Sequence, residues 1–305
     1  MENAVPHWGF LDSAAAARLA RVPFLALRPM LGSVSGLHRS AARGSSVEFA
    51  EYRKYAPGDD PRFLDWRVYA KTDRFFVREF EADTNLRCHL VVDSSASMQF
   101  GSGATSRFDR ARTLAALLAH TLIRQGDAVG LCLVGKEASG SLPARRNRGH
   151  LRGVLDTLAR ARTGPGSTLV EDLHALAERL PARGLVVILS DFFHEAAALL
   201  DCFQHLRFGN HDLVAVQLID PLELDFDFEC PMRLVDLESS IATETDPVLA
   251  REGYLEAVRL HLSELAEGCG SREISYHLHR LDADYTPLLD AISHARLRRF
   301  RARTK

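Results

Sequence analysis

The sequence predicts an α/β protein built on a doubly wound, mostly parallel sheet, and two features carry that prediction. From Leu86 onward, short apolar runs alternate with longer segments whose apolar residues recur at helical spacing. One run, Gly184–Ser190 (GLVVILS), is continuously apolar, the pattern of a central strand covered on both faces. Strands alternating with helices of this length form parallel sheets with helices on both faces. Such sheets bind ligands beyond the carboxyl ends of their strands.

The elements follow in order. Leu86–Asp93 (LRCHLVVD) is a strand ending on a carboxylate, and Ser106–Gln125 is a helix with Leu114, Leu117, Leu118 and Leu122 on one face. Gln125-Gly126-Asp127 stops it and turns the chain into the strand Ala128–Val134. Gly149–Ala161 and Leu169–Leu180 are helices, and Gly184–Ser190 is the central strand. Glu195–Arg207 is helical, Asp212–Asp220 is a strand, and an irregular or hairpin insertion is expected near 221–246. A helix at Asp246–Glu267, a strand at Glu273–Leu281 and a last helix near Tyr285–Arg299 complete the series. This domain spans 86–305. Residues 1–85 form a separate accessory segment, dense in charge and aromatics over Gly44–Glu81, with a turn at Pro57-Gly58-Asp59-Asp60 and a strand at Phe75–Phe80.

Whole-chain properties exclude several classes. Across 305 residues, 46% are hydrophobic and 26% charged, with a formal net charge of -2, so nothing favours nucleic acid or a membrane surface as partner. Five cysteines (Cys88, Cys132, Cys202, Cys230, Cys269) lack any CxxC spacing, which argues against both a disulfide framework and a cysteine-rich zinc site. The N-terminus lacks the basic start and apolar core of a signal peptide, and runs such as Leu185–Leu189 fall well short of the roughly 20 residues of a membrane span. A soluble, cytoplasmic protein with no membrane anchor is expected.

The chemistry concentrates at strand ends. Directly after the first strand, Asp93, Ser95 and Ser97 stand two residues apart (DSSAS), so one loop can aim three oxygens inward. A carboxylate with two hydroxyls is hard-oxygen chemistry, suited to Mg²⁺ or Mn²⁺ and unsuited to zinc, with Ca²⁺ as a further option. Alone, the pattern also fits an ordinary strand-to-helix cap. Two more features strengthen it. Gly164–Leu169 (GPGSTL) is a glycine-rich loop that opens a helix with Thr168, and Asp191 closes the most apolar strand. No general base stands beside the motif in the sequence, so catalysis is not expected. A phosphohydrolase using Asp93 as phosphoacceptor is the enzymatic alternative, weakened by Ser95 where such enzymes place a second aspartate. A structural subunit with a vestigial metal motif is another.

In order and spacing, Asp93, Ser95, Ser97, Thr168 and Asp191 resemble the metal-ion-dependent adhesion site of von Willebrand factor A domains. In that family the serines and threonine ligate directly and the aspartates often act through water. Upstream, Glu48-Phe49, Arg53-Lys54-Tyr55, Gly58-Asp59-Asp60-Pro61-Arg62, Asp65-Trp66 and Val77-Arg78-Glu79-Phe80 lead into DSSASM. This series resembles the bacterial family of domain of unknown function fifty-eight, over roughly residues 20–300, with Leu64 where isoleucine is common. Many relatives carry N-terminal transmembrane helices that this chain lacks. The resemblance implies a Rossmann-like, von Willebrand A-type sheet, a divalent cation and a protein partner whose carboxylate binds it. It further implies work beside a MoxR-type AAA+ ATPase in maturing or remodelling protein complexes. Asp59, Asp60, Arg62, Asp65 and Trp66 then form either a partner-binding surface or a clasp of Arg–carboxylate pairs.

Weaker signals have plainer readings beside sharper ones. Leu222–Glu229 (LELDFDFE) alternates apolar and acidic residues, as an edge strand or hairpin arm guarded by charge, or an acidic docking arm for a basic partner, would. His277 and His279 share a strand face near Asp282 and Asp284, either as outer polar positions or as a second metal site. The basic tail from Arg296 to Lys305 reads as a solvated terminus, or as an electrostatic contact to a partner, and the loop cluster Arg145, Arg146 and Arg148 is too small to argue nucleic-acid binding.

Overall fold

A computed structural model describes residues 8–11, 15–16, 39–40, 48–54, 68–69, 76–83, 86–136 and 140–293. Three strands precede the main domain: β1 (Arg39–Ser40), β2 (Glu48–Lys54) and β3 (Phe76–Asp83). They form an antiparallel sheet in the order β1-β3-β2, with a register shift between Phe49 and Glu51. The strand expected at Phe75–Phe80 is β3. Asp59, Asp60, Arg62, Asp65 and Trp66 lie outside the described residues, as does the basic tail.

The main domain alternates as its sequence pattern requires. Its strands are β4 (Arg87–Asp93), β5 (Ala128–Val134), β6 (Ser141–Arg145), β7 (Leu185–Ser190), β8 (Asp212–Ile219), the hairpin β9 (Met232–Val235) and β10 (Ala242–Thr245), and β11 (Ser275–Arg280). The helices are α1 (Arg107–Arg124), α2 (Arg148–Arg160), α3 (Leu169–Arg179), α4 (Ala196–Phe208), the short α5 (Pro221–Asp225) and α6 (Pro247–Ser271). Residues 286–293 are helical as well.

Six strands form the central sheet in the order β11-β8-β7-β4-β5-β6, all parallel except the β5–β6 pair. β7 is buried along its whole length, which explains its unbroken apolar run. Alternate residues of β4 and β7 face opposite layers. Leu90, Val92, Val187 and Leu189 pack under α1 and α2, whereas Val91, Val186 and Ile188 pack under α3 and α4. The strand order reverses at β4, whose neighbours are β5 and β7. The crevice at a reversal of this kind is where doubly wound sheets take ligands, and Asp93 and Asp191 both stand there.

Local chemistry sets the helix ends. Ser106 and Asp109 form a reciprocal capping box at the start of α1. Asp220 caps α5, with Pro221 at its first position and Glu223 closing a second box. That box overrides the strand expected over Leu222–Glu229. The alternation there is real, but Asp220-Pro-x-Glu starts a helix, which ends at Phe226 in the left-handed region (φ 45). β6 was not expected from the sequence; it contains Pro143, which cannot donate to a ladder but is tolerated in an antiparallel edge strand. Arg145 therefore ends a strand and is not part of a loop cluster.

Candidate metal centre

The site is assembled from loops pinned to the sheet before any ion is considered. Ser94 donates its amide and its hydroxyl to the Val134 carbonyl at 2.8 and 2.7 Å, fixing the loop after β4 to the end of β5. Gly164 donates its amide to the Ser94 carbonyl at 3.0 Å, and Ser95 pairs with Gly164 as an isolated parallel bridge. The glycine-rich loop thus runs alongside the DSSAS loop. Residues Ala96–Gln99 form a 3-10 turn, anchored in the core by fully buried Met98.

Asp93 is fully buried at the end of β4, where its Oδ1 accepts the Ser95 amide (2.9 Å) and its Oδ2 accepts the Ser190 hydroxyl (2.6 Å). Burial, and then the negative charge of Asp191, push its pKa up to about 7 against the opposing hydrogen bonds. The hydroxyls of Ser95 and Ser97 lie 3.1 Å apart. Thr168 stands at the N-cap of α3, but its hydroxyl caps no backbone amide and donates to Asp172 Oδ2 at 2.8 Å instead. Its oxygen keeps lone pairs for another partner. Asp172 also accepts the Gly135 amide at 3.0 Å, tying α3 to the loop after β5.

Asp191 is 1% exposed and follows β7. Its Oδ2 lies 3.0 Å from Arg107 Nη1, and its Oδ1 accepts the Phe193 amide at 3.3 Å. The next residue, Phe192, is fully buried with φ 52, a conformation that bulky residues rarely adopt. It packs edge-on against Phe203, at 5.6 Å between ring centroids. That packing holds the turn that aims Asp191 back over the sheet.

The structure therefore brings Asp93, Ser95, Ser97 and Asp191 to one rim, and sets the Thr168 loop beside them. Their chemistry fits a small hard cation. In an octahedral shell with metal–oxygen distances of about 2.1 Å, adjacent oxygens lie about 3 Å apart, close to the Ser95–Ser97 separation; the wider shell of Ca²⁺ would spread them to about 3.4 Å. Two buried carboxylates stand at this rim: burial and Asp191 push Asp93 toward its neutral form, and Asp191 is paired with Arg107.

Four participants are not evident from the motif. Arg107, 2% exposed, donates Nη1 to the Ser97 carbonyl (2.9 Å) as well as to Asp191, pairs through Nη2 with Glu223, and lies over the rings of Phe100 and Phe193. Glu223 is thus a partly buried ion-pair partner of Arg107. Glu238, at the tip of the β9–β10 hairpin, accepts the Ser97 amide on Oε1 and the Gly166 amide on Oε2, each at 2.8 Å. His194 Nε2 lies 2.9 Å from Ser167 Oγ, so an imidazole does stand beside the motif, contrary to expectation; its Nδ1 has no hydrogen-bond partner among the described residues.

Comparison with known proteins places the chain. The family model described as "Protein of unknown function DUF58" matches residues 51–264. The chain belongs to the DUF58 family. The uncharacterized protein Rv1480 of Mycobacterium tuberculosis is 31% identical to this DUF58 chain over 284 residues, covering 90% of the chain and 87% of Rv1480. Among solved structures, the conserved hypothetical protein BatB from Bacteroides thetaiotaomicron aligns at a TM-score of 0.47 and 15% identity, over 72% of this chain and all of BatB. The SpRpn10 VWA domain aligns at 0.37 and 10% identity, over 68% of this chain and 94% of that domain. The strand order itself carries the fold class.

Elsewhere, the five cysteines are free thiols. No described helix is long and apolar enough to cross a membrane. His279 is buried, His277 contacts Ser275 Oγ at 3.1 Å, and no cluster of three or more His, Cys, Asp or Glu suited to a metal occurs among the described residues.

Proposed function

We propose that this DUF58 protein is a non-enzymatic, divalent-cation-dependent binding module. Ser95, Ser97 and Thr168 would hold Mg²⁺ or Mn²⁺ directly, and Asp93 and Asp191 would orient the shell through hydrogen bonds. The bound ion supplies a Lewis-acidic position for a carboxylate from a protein partner. The observation that carries this reading is the meeting of two hydroxyls, 3.1 Å apart, with two buried aspartates where the strand order reverses. Mostly neutral hydroxyl ligands leave a divalent cation incompletely neutralised, which favours an anionic visitor. By family membership, we propose a MoxR-type AAA+ ATPase as the working partner, in maturation or remodelling of protein complexes.

Burial counts against the phosphohydrolase alternative. A phosphoacceptor aspartate must present an oxygen to substrate, yet Asp93 is 0% exposed with both oxygens engaged. The Ser167–His194 pair favours a different hydrolytic reading, but among the described residues no acidic partner orients that imidazole as a base. Counting free Mn²⁺ by electron paramagnetic resonance tests the proposal. Wild type should take up one ion per chain and Asp93→Ala none, with matching circular dichroism; equal uptake by both would overturn it.

A further inference from the structure

The metal-site rim is already in contact with a carboxylate from the chain's own insertion. Glu238 reaches 141 residues back in sequence to Ser97 and 72 residues back to Gly166, placing one oxygen on each of the two loops that carry the candidate ligands. Its neighbours make this placement deliberate in form. From Arg233 to Ser240 every residue is exposed except Glu238, which is partly covered because it leans onto the rim. Asp236 builds the hairpin tip by accepting the amides of Glu238 (3.0 Å) and Ser239 (3.2 Å) and the Ser239 hydroxyl. The tip is thus shaped to present the Glu238 side chain.

The rest of the hairpin is held loosely. β9 is exposed after Met232, and the middle of β10 is exposed too. Leu234, Val235 and Ile241 are 42%, 53% and 66% exposed, so little apolar burial ties the strands to the domain. The charge-assisted hydrogen bonds of Glu238 are then a substantial part of what holds the tip down.

We propose that Glu238 is the site's built-in carboxylate, held by the β9–β10 hairpin where an acidic side chain of a partner would bind, so that partner engagement requires the hairpin to lift. The inference rests on the cation-dependent binding reading and specifies its regulation and the class of its partner. The partner must offer an aspartate or glutamate able to outcompete a tethered one. The tether keeps Glu238 at a high effective concentration beside the rim, which adds to its hydrogen bonds in competing with an untethered carboxylate. A hydrophobic partner surface that covers Leu234, Val235 and Ile241 as the hairpin lifts would add to the exchange.

The test uses the full chain loaded with Mn²⁺ and acetate as the carboxylate probe, read by water-proton relaxation. Glu238→Ala should bind Mn²⁺, show higher relaxivity from an added exchangeable water, and lose that increment on acetate addition. Wild type should be insensitive to acetate. Glu238→Gln, which keeps an acceptor but not the charge, should fall between. Without metal, the Ser97 and Gly166 amides should exchange with deuterium roughly tenfold faster in Glu238→Ala, the effect expected of losing hydrogen bonds to a charged group. If Mn²⁺ binds and wild type and Glu238→Ala give the same relaxivity and acetate response, the latch is overturned and cation binding stands. If wild type binds no Mn²⁺, both readings fall together.

Discussion

Arg107 Nη1 lies 3.0 Å from Asp191 Oδ2 and 2.9 Å from the Ser97 carbonyl, so one buried guanidinium joins the two sides of the candidate metal centre. A fixed cation here stabilises the rim whether or not an ion is bound, and it also opposes a second cation. The two effects have opposite signs for Arg107→Ala. Removing one partner of a buried ion pair strands Asp191 and should lower stability in chelator by about 3–5 kcal/mol. The same change removes a competing positive charge and should tighten Mn²⁺ binding. Urea unfolding with chelator, and Mn²⁺ titration of the folded variant, give the two numbers; a fall in both would show that Arg107 organises the site more than it opposes the ion.

Gly135 follows β5 at φ +130, and a Cβ there would stand 3.1 Å from Ser94 Oγ. Its amide also holds Asp172. Gly135→Ala should therefore lose about 1–3 kcal/mol and disturb the loops on both sides. Thermal unfolding and Mn²⁺ affinity should both weaken. Wild-type values in both would mean that the loop adapts without involving Ser94 or Asp172.

Acid should unfold the domain partly through His89. Burial, then His211 and Arg87, lower its pKa to about 4, against 6.5 for an ordinary histidine. Protons therefore bind the unfolded chain first. The stability tied to neutral His89 is intact above pH 6.5 and is lost as pH falls toward 4, by about 3 kcal/mol at most. Urea denaturation across that range should show a shallower decline for His89→Leu. An unchanged slope would assign the acid limb to other groups.

Hydrolysis should be absent. With Mg²⁺ present, neither p-nitrophenyl phosphate nor p-nitrophenyl acetate should turn over above buffer. Turnover abolished by His194→Ala and by Ser167→Ala would instead make the hydroxyl–imidazole pair a working site.

The fold was legible because local and global signals agree. The unbroken apolar run of β7 marked the sheet centre, and Ser106 and Gln125 marked the ends of α1. Asp93 and Asp191 were legible because strand ends locate ligands in such sheets. What the sequence concealed depends on long-range pairing. Glu238 lies in an irregular stretch, and nothing local says that DLES folds back onto a loop 141 residues earlier. Arg107 did leave a trace: a cation in the first turn of a helix opposes the dipole, a small cost that a tertiary partner offsets. For Leu222–Glu229, alternation lost to a capping box whose residues, Asp220 and Glu223, were visible all along.

The most direct measurement is anomalous scattering from a crystal of the full chain grown with Mn²⁺. A single strong peak should stand about 2–2.4 Å from the hydroxyl oxygens of Ser95 and Ser97, beside Thr168 and the carboxylates of Asp93 and Asp191. No peak at that rim under saturating Mn²⁺, or a peak only at distant surface carboxylates, would contradict the metal-dependent reading.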